Sequence, residues 1–427
     1  MKTVLSPTTD QWSELTARPT VSLDDVMPVV DEVFGAIQRQ GDQAIQAYSE
    51  KFDGYRPERI EVDLADLKSS KNELLADLRA AIDKAYDNIY AFHKAQQTDR
   101  VQLDVQEGVS CWQEKRPIEK VGLYIPGGTA PLFSSILMLA IPATIAGCRE
   151  IVLCTPPNQS GQLAPATRYA AYKCGVTRLF QVGGIQAIGG MTFGTETIPQ
   201  VFKILGPGNQ YVTAAKQKAT QYGVSIDMPA GPSELLVVAD ETAVPSYVAA
   251  DLLSQAEHGT DSQVLLVSTS QDTIDKVKDE VQKQLEALPR KEIAVQALAN
   301  STAIYFSAES DAIAFINEYG PEHYIICMAN EDKFVEGVAN AGSVFIGNYT
   351  PESAGDYASG TNHTLPTNGY AKQYSGVNLD SFLKAITFQK ISEIGLKDLG
   401  PSIETLADAE GLYAHKNAVS LRLKDLT

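Results

Sequence analysis

Between residues 121 and 328 the sequence repeats one local pattern: a short apolar run, a turn, then a longer stretch with helical spacing. The runs read "VGLYIPGG", "EIVLCTPP", "RLFQVGG", "SELLVVAD", "SQVLLVST", "TAIYFSA" and "EHYIICMA". Between them lie "APLFSSILMLAIPATIAGC", "APATRYAAYKCGV", "PSYVAADLLSQAEHG", "TIDKVKDEVQKQLEAL" and "DAIAFINEYG". Strands that are apolar throughout are buried on both faces, and parallel neighbours need a helical crossover. The alternation therefore predicts an α/β chain with two doubly wound, Rossmann-like modules of parallel strands. A chain of 427 residues also exceeds what one simple core holds.

The flanks differ in texture. The first ~120 residues read as mostly helical. "SLDDVMPVVDEVFGAIQRQGDQAIQAYSEKFDG" opens on a Ser22 cap and closes near Gly54, and "LKSSKNELLADLRAAIDKAYDNIYAFHKAQQ" is amphipathic. From about residue 378 the tail reads as mainly helical. A net charge of −18 without a Lys/Arg block disfavours nucleic acid as a partner. The longest apolar stretch, Leu132 to Gly147, is broken by Ser134, Ser135 and Pro142 and is short for a membrane span. No apolar signal segment opens the chain, and the five cysteines form neither a disulfide framework nor a CxxC pattern. The expectation is a cytoplasmic protein. Cys148, Cys154, Cys174 and Cys327 read as core filler, with Cys111 ambiguous.

Three glycine turns, Gly127-Gly128, Gly183-Gly184 and Gly206-Pro207-Gly208-Asn209, each follow an apolar run. They are either tight turns or the walls of one crevice in which phosphates approach the backbone. No GxGxxG accompanies them. Four of the five histidines sit among polar or turn residues: His258, His323, His363 and His415. His93 lies in a helix and reads as a surface or satisfied core histidine. Gln255 and His258, three apart at a helix end, offer oxygen and nitrogen to a divalent metal, with Asp356 and His415 as further donors. "GPEHY" places Glu322 and His323 side by side at a strand end, either as a solvated turn or as a proton-handling pair.

At this point long motifs carry a resemblance. "YIPGGTAPLFSSILM", "GPGNQYVTAAK", "DMPAGPSELLVVAD", "LLSQAEHGTDSQ", "GPEH", "AGSVFIGNYTPESAGDYASGTNHTLPT" and "GLYAHKNAV" resemble the histidinol dehydrogenase family over nearly the whole chain. The resemblance implies an aldehyde-dehydrogenase-like α/β fold that binds NAD without GxGxxG, one Zn2+ per subunit and an intertwined homodimer. It implies four-electron oxidation of L-histidinol through the aldehyde to L-histidine, the last steps of histidine biosynthesis. The implied layout is an extension at 1–22, a substrate and zinc domain from 23–121 and 233–377, an NAD domain at 122–232, and a tail at 378–427 that reaches the partner. The implied zinc ligands are Gln255, His258, Asp356 and His415, and the implied acid–base pair is Glu322 and His323. Ser233, His363 and Glu410, together with the ligands and His323, would hold the substrate. Tyr124, Gln186 and Asn209 would contact NAD, and His415 and Glu410 would come from the partner subunit. The rival reading is a zinc hydrolase, whose parts are also a metal, His and Asp ligands and a Glu base.

Overall fold

The computed structural model describes residues 1–19, 25–127, 131–158 and 160–426. The Ser22 cap and Gly128 of the first glycine turn lie outside these residues. The chain divides into two compact units, residues 1–96 with 118–382, and residues 97–117 with 383–427.

Strands are numbered β1–β15 along the chain. In the first unit one six-stranded sheet has the order β2 (Glu61–Val62), β7 (Arg178–Phe180), β6 (Glu150–Cys154), β5 (Lys120–Tyr124), β8 (Lys203–Leu205), β9 (Ser225–Ile226). All its pairs are parallel except β2 with β7. The other six-stranded sheet is wholly parallel, ordered β1 (Lys2–Leu5), β12 (Thr302–Tyr305), β11 (Gln263–Ser268), β10 (Glu234–Ala239), β13 (His323–Cys327), β14 (Ser343–Ile346). Strands β10, β11 and β13 are buried along their whole length, which accounts for their uninterrupted apolar runs. The expected α/β class with parallel sheets is what forms.

Three parts of the expected layout differ. The helices Met27–Gln40, Asp42–Asp53 and Ala76–Ala95 pack on the sheet of β5, not on the sheet that follows residue 233. Val30, Phe34, Ile37 and Ile45 join Val152, Phe180 and Val182, while Ile82 and Ile89 join Leu123, Leu153 and Leu179. An amphipathic pattern records that one face is buried but not which sheet covers it. Second, the N-terminal extension, expected to be helical, begins as a strand, because its first residues form β1 on the edge of the second sheet.

Third, the second unit holds more strand than the helical flanks suggested. β3 (Val101–Gln106), β4 (Val109–Pro117) and β15 (Leu383–Ile391) make an antiparallel sheet in the order β15–β4–β3. Helices Glu393–Ala409 and Tyr413–Asp425 follow. The partner of β15 is far away in sequence, so the tail alone does not reveal the pairing.

Residues Leu132 to Gly147 form a core helix, Phe133–Ala146, with ten consecutive buried positions from Ser134 to Ala143. Among the described residues no helix is long and apolar enough to cross a membrane. Cys148, Cys154, Cys174 and Cys327 are buried, as expected of core filler, and Cys111 is half-buried in β4. His93 is fully buried, with Nδ1 on the Ile89 carbonyl at 2.8 Å and Nε2 beside the Asn362 amide at 3.3 Å.

Candidate active site

One wall of the site forms at the carboxyl ends of the first sheet, where β5 and β8 are neighbours. Tyr124 ends β5 and Gly206 follows β8. Gly206 has φ +136°, and a Cβ there would lie 2.0 Å from the Tyr124 carbonyl oxygen, so only glycine fits. The Gly206 N–H donates to Asp227 Oδ2 at 2.8 Å and its carbonyl accepts from Lys216 Nζ at 2.8 Å. Lys216 and Asp227, both buried at the side chain, pair with each other and pin the loop. Asn209 caps helix Gln210–Thr220, its Oδ1 accepting the N–H groups of Tyr211 and Val212, each at 3.1 Å. Asn209 lines a crevice of about 660 Å³ together with Ser233, His258, Asp261 and Asn368.

Tyr124 and Gln186 meet in the same region of the sheet. The Tyr124 hydroxyl accepts the Gly184 N–H at 3.1 Å, and Gln186 Nε2 donates to Asp53 Oδ2 at 2.9 Å. Gln186 Oε1 is buried without a partner. Asp53 escaped the sequence reading because it appears only as the last helical residue before Gly54. Burial pushes its carboxyl up to about 6, against the Gln186 hydrogen bond. Since the ordinary value is 3.8, the folded chain keeps a proton that the unfolded chain has lost over that interval. Stability falls as pH rises through it. Asp53→Asn is therefore expected to raise the melting temperature of the ligand-free protein above about pH 6, with the gain vanishing near pH 4. Melting curves against pH for both proteins check this, and a gain that does not depend on pH would contradict it.

The opposite wall forms at the amino ends of the second sheet. Glu322 and His323 stand at the start of β13 and are 6% and 3% exposed, so "GPEHY" is not a solvated turn. The neighbouring strand holds both. Glu322 Oε2 accepts the Glu234 N–H at 2.8 Å, and His323 Nδ1 lies 3.2 Å from the Glu234 carbonyl oxygen. A carbonyl only accepts, so Nδ1 carries a proton and Nε2 is the basic nitrogen of the neutral ring. Nε2 is buried, lacks an aligned hydrogen bond and faces Asp356 Oδ1 at 3.4 Å. Glu352 Oε1 lies 3.5 Å from Nδ1. Burial pushes Glu322 up to about 8 against the pull of His323. Burial lowers His323, but Glu322, Glu352 and Asp356 outweigh it and raise the ring to about 10. A cation held on Asp356 would offset that carboxylate charge, lower the ring again and free Nε2 to act as a base.

Around this pair the predicted donors converge in part. Gln255 is fully buried on helix Pro245–Ala256, and His258 follows in the turn, where it lines the crevice. Burial lowers the His258 pKa while the charge of Asp356 raises it, so the two groups are close enough to interact. Asp356 was expected on a loop but lies on a short helix, Glu352–Tyr357. That helix places Glu352 one turn away, on the same face.

Glu352 was absent from the expected set, yet His323, Glu352 and Asp356 bring ligand atoms within 4.8 Å of one another. An acidic pair spaced by four residues before "SGTNH" was the signal that could have found it. Glu352 is pushed up to about 8 by burial, opposed by His323. His363 Nδ1 donates to the Asp356 carbonyl at 2.8 Å and its Nε2 accepts from Ser135 at 2.9 Å. Glu410 and His415 belong to the other unit and are exposed there.

Two buried contacts fit a cation. The Gln255 amide is satisfied when its nitrogen donates to Glu352 Oε1 and its oxygen accepts the Glu234 N–H at 3.0 Å. Turned over, its carbonyl oxygen faces the Glu352 carboxyl, an arrangement that a positive ion or the proton of that carboxyl would hold. The unpartnered Nε2 of His323 opposite Asp356 Oδ1 is the second such contact. Nitrogen and oxygen donors of this kind suit zinc.

A family model described as histidinol dehydrogenase matches residues 16–423. A histidinol dehydrogenase of Bacteroides thetaiotaomicron is 52% identical over 426 residues, covering 100% of both chains. The crystal structure of histidinol dehydrogenase from Elizabethkingia anophelis is 52% identical, with a TM-score of 0.97 over 100% of this chain and 98% of its own. An apo betaine aldehyde dehydrogenase from Staphylococcus aureus, 12% identical, has a TM-score of 0.50 over 77% of this chain and 81% of its own. At that identity the likeness is one of fold.

Proposed function

The chain belongs to the histidinol dehydrogenase family, and we propose that Glu322 and His323 handle the protons of its reaction beside a zinc site built on Gln255, His258 and Asp356. The enzyme oxidises L-histidinol with two NAD⁺, through L-histidinal, to L-histidine. The observation that supports the site reading is the buried Glu322–His323 pair, held on one strand and facing the donor cluster. The zinc hydrolase alternative is not favoured by this family membership.

In the first half-reaction the alcohol carbon gives a hydride to NAD⁺ as its hydroxyl proton leaves to His323 Nε2, giving aldehyde and NADH. Water then adds to the aldehyde, with Glu322 taking a proton from the water and His323 returning the alcohol's proton to the carbonyl oxygen, which gives the hydrate and a neutral His323. The hydrate's carbon gives the second hydride to NAD⁺ as a hydroxyl proton leaves to His323, which yields the carboxylic acid. Aldehyde dehydrogenases that hold the aldehyde on a thiolate need a reactive cysteine. Here Cys327, nearest in sequence, is buried in β13 and burial pushes its thiol up to about 12. A water route suits this site.

Zinc held there by Gln255, His258 and Asp356 would supply an electrostatic grip on the nitrogens of the substrate. Ser233, His363 and Glu410 would orient that substrate, while Tyr124, Gln186 and Asn209 would contact NAD. The partner subunit's His415 and Glu410 would complete the site in a homodimer. The strand orders support reading both six-stranded sheets as doubly wound, in the aldehyde-dehydrogenase-like manner. A cytoplasmic setting fits a biosynthetic enzyme of this kind.

Purified protein with zinc, L-histidinol and NAD⁺ should form two NADH for each histidine. A complementation assay tests the shared site. His258→Asn and His415→Asn homodimers should each be inactive. Their randomly reassorted mixture should recover about a quarter of wild-type activity, because half the dimers then carry one intact site of two. No recovery in a mixture shown to exchange subunits would place His415 within its own subunit's site, and full activity in the His415→Asn homodimer would place it outside any site.

A further inference from the structure

We infer that the buried Arg18–Glu234 pair is a positioning device that sets the geometry of Glu322 and His323. The inference rests on the reading of those two residues as the proton-handling pair. Glu234 is the first residue of β10 and is fully buried. Its backbone serves both catalytic side chains at once, the N–H holding Glu322 Oε2 at 2.8 Å and the carbonyl holding His323 Nδ1 at 3.2 Å. A displacement of this one residue would move acid and base together.

What fixes Glu234 is its side chain. Arg18 Nε donates to Oε1 at 3.1 Å and Nη2 to Oε2 at 2.9 Å, and the Asn368 N–H also donates to Oε1. Burial raises the Glu234 carboxyl, opposed by Arg18 and the Asn368 N–H, and donors on both of its oxygens hold the side chain in place as a carboxylate would be held. Arg18 is fixed in turn. Its Nη1 donates to the Thr16 carbonyl at 2.8 Å and its Nη2 to the Tyr319 carbonyl at 2.7 Å. Its guanidinium carbon sits 3.6 Å from the centre of the Tyr319 ring. The Tyr319 hydroxyl donates to Gln263 Oε1 at 2.9 Å, and Gln263 Nε2 reaches back to the Ala17 carbonyl at 3.1 Å. The circuit closes on the segment from which Arg18 projects.

Tyr319 is also the last residue of helix Glu309–Tyr319, and Gly320 at φ +62° turns the chain directly into Pro321 and Glu322. Arg18 therefore ties down both supports of the pair, the strand that hydrogen-bonds it and the helix end that delivers it. A buried ion pair is weak evidence for stability, since desolvation offsets its attraction. Misplacing reacting groups by about 1 Å costs on the order of a hundredfold in rate. The planar fork of arginine holds two oxygens where lysine holds one.

The test compares Arg18→Met, Arg18→Lys and Glu234→Gln as zinc-loaded full-length enzymes. For Arg18→Met, kcat of both half-reactions should fall by about tenfold to a hundredfold, with KM for histidinol and NAD⁺ and zinc content within about twofold. Arg18→Lys should recover part of the loss. A folded, zinc-loaded Arg18→Met with wild-type kcat overturns the inference, as does a loss confined to zinc content or KM. If Arg18→Met does not fold, Glu234→Gln decides. It keeps both backbone contacts, and wild-type kcat in it overturns the inference. Wild-type activity in Glu322→Gln and His323→Asn would instead show that the reading beneath it has failed.

Discussion

Glu322→Gln should pass the first hydride and stall before the second. The oxidation of histidinal is expected to slow by roughly 10²- to 10⁴-fold, the usual worth of a general base, while alcohol oxidation slows by no more than about tenfold. Glutamine keeps the size of the side chain and can still accept the Glu234 N–H that now holds Oε2 at 2.8 Å. What it loses is the ability to take a proton from water. Burial has brought Glu322 up to about 8, close to the pH at which a base that must both bind and release a proton works best. Only the hydration of the aldehyde calls for such a base, since His323 Nε2 already serves the alcohol. Single-turnover NADH formation from histidinol and from histidinal separates the halves. Equal losses in both would contradict the division of labour.

How much of this was legible in the sequence depends on how local each signal is. The strands of both large sheets announced themselves, because a strand buried on both faces needs an apolar residue at every position. Glu322, His323, Gln255 and His258 were likewise visible, since each pair is placed by a single turn. Long-range facts were not. Nothing in "VFGAIQRQ" says that Phe34 and Ile37 will face Phe180 and Val182 and not the second sheet. Nothing in "TARPT" says that Arg18 will reach Glu234, because a surface arginine and one buried in an ion pair look alike in sequence. Glu352 was hidden for a subtler reason. A Gly/Ser-rich stretch reads as a loop, and only the short helix actually formed puts Glu352 and Asp356 on one face.

The short helix that carries Glu352 and Asp356 bears on the largest effect expected, the loss of metal on His258→Asn. Without its imidazole the predicted set within this chain keeps only the Gln255 carbonyl and the Asp356 carboxylate, and a neutral amide oxygen is a weak zinc ligand. Zinc retained after dialysis should fall to a small fraction of the wild-type amount, and activity with it. A second readout is independent of turnover. Zinc should raise the melting temperature of the wild type in a concentration-dependent way, because a ligand that binds only the folded state stabilises it. It should barely move that of the variant. Glu352→Gln is the informative companion. If Glu352 supports the site by engaging Gln255 and His323, zinc affinity should fall by about 10- to 100-fold, as for supporting residues elsewhere, and excess zinc should restore binding. If Glu352 is itself a ligand, its loss should match that of His258→Asn. Full zinc occupancy in His258→Asn would remove His258 from the ligand set and shift the site toward His323, Glu352 and Asp356, whose ligand atoms already lie within 4.8 Å of one another.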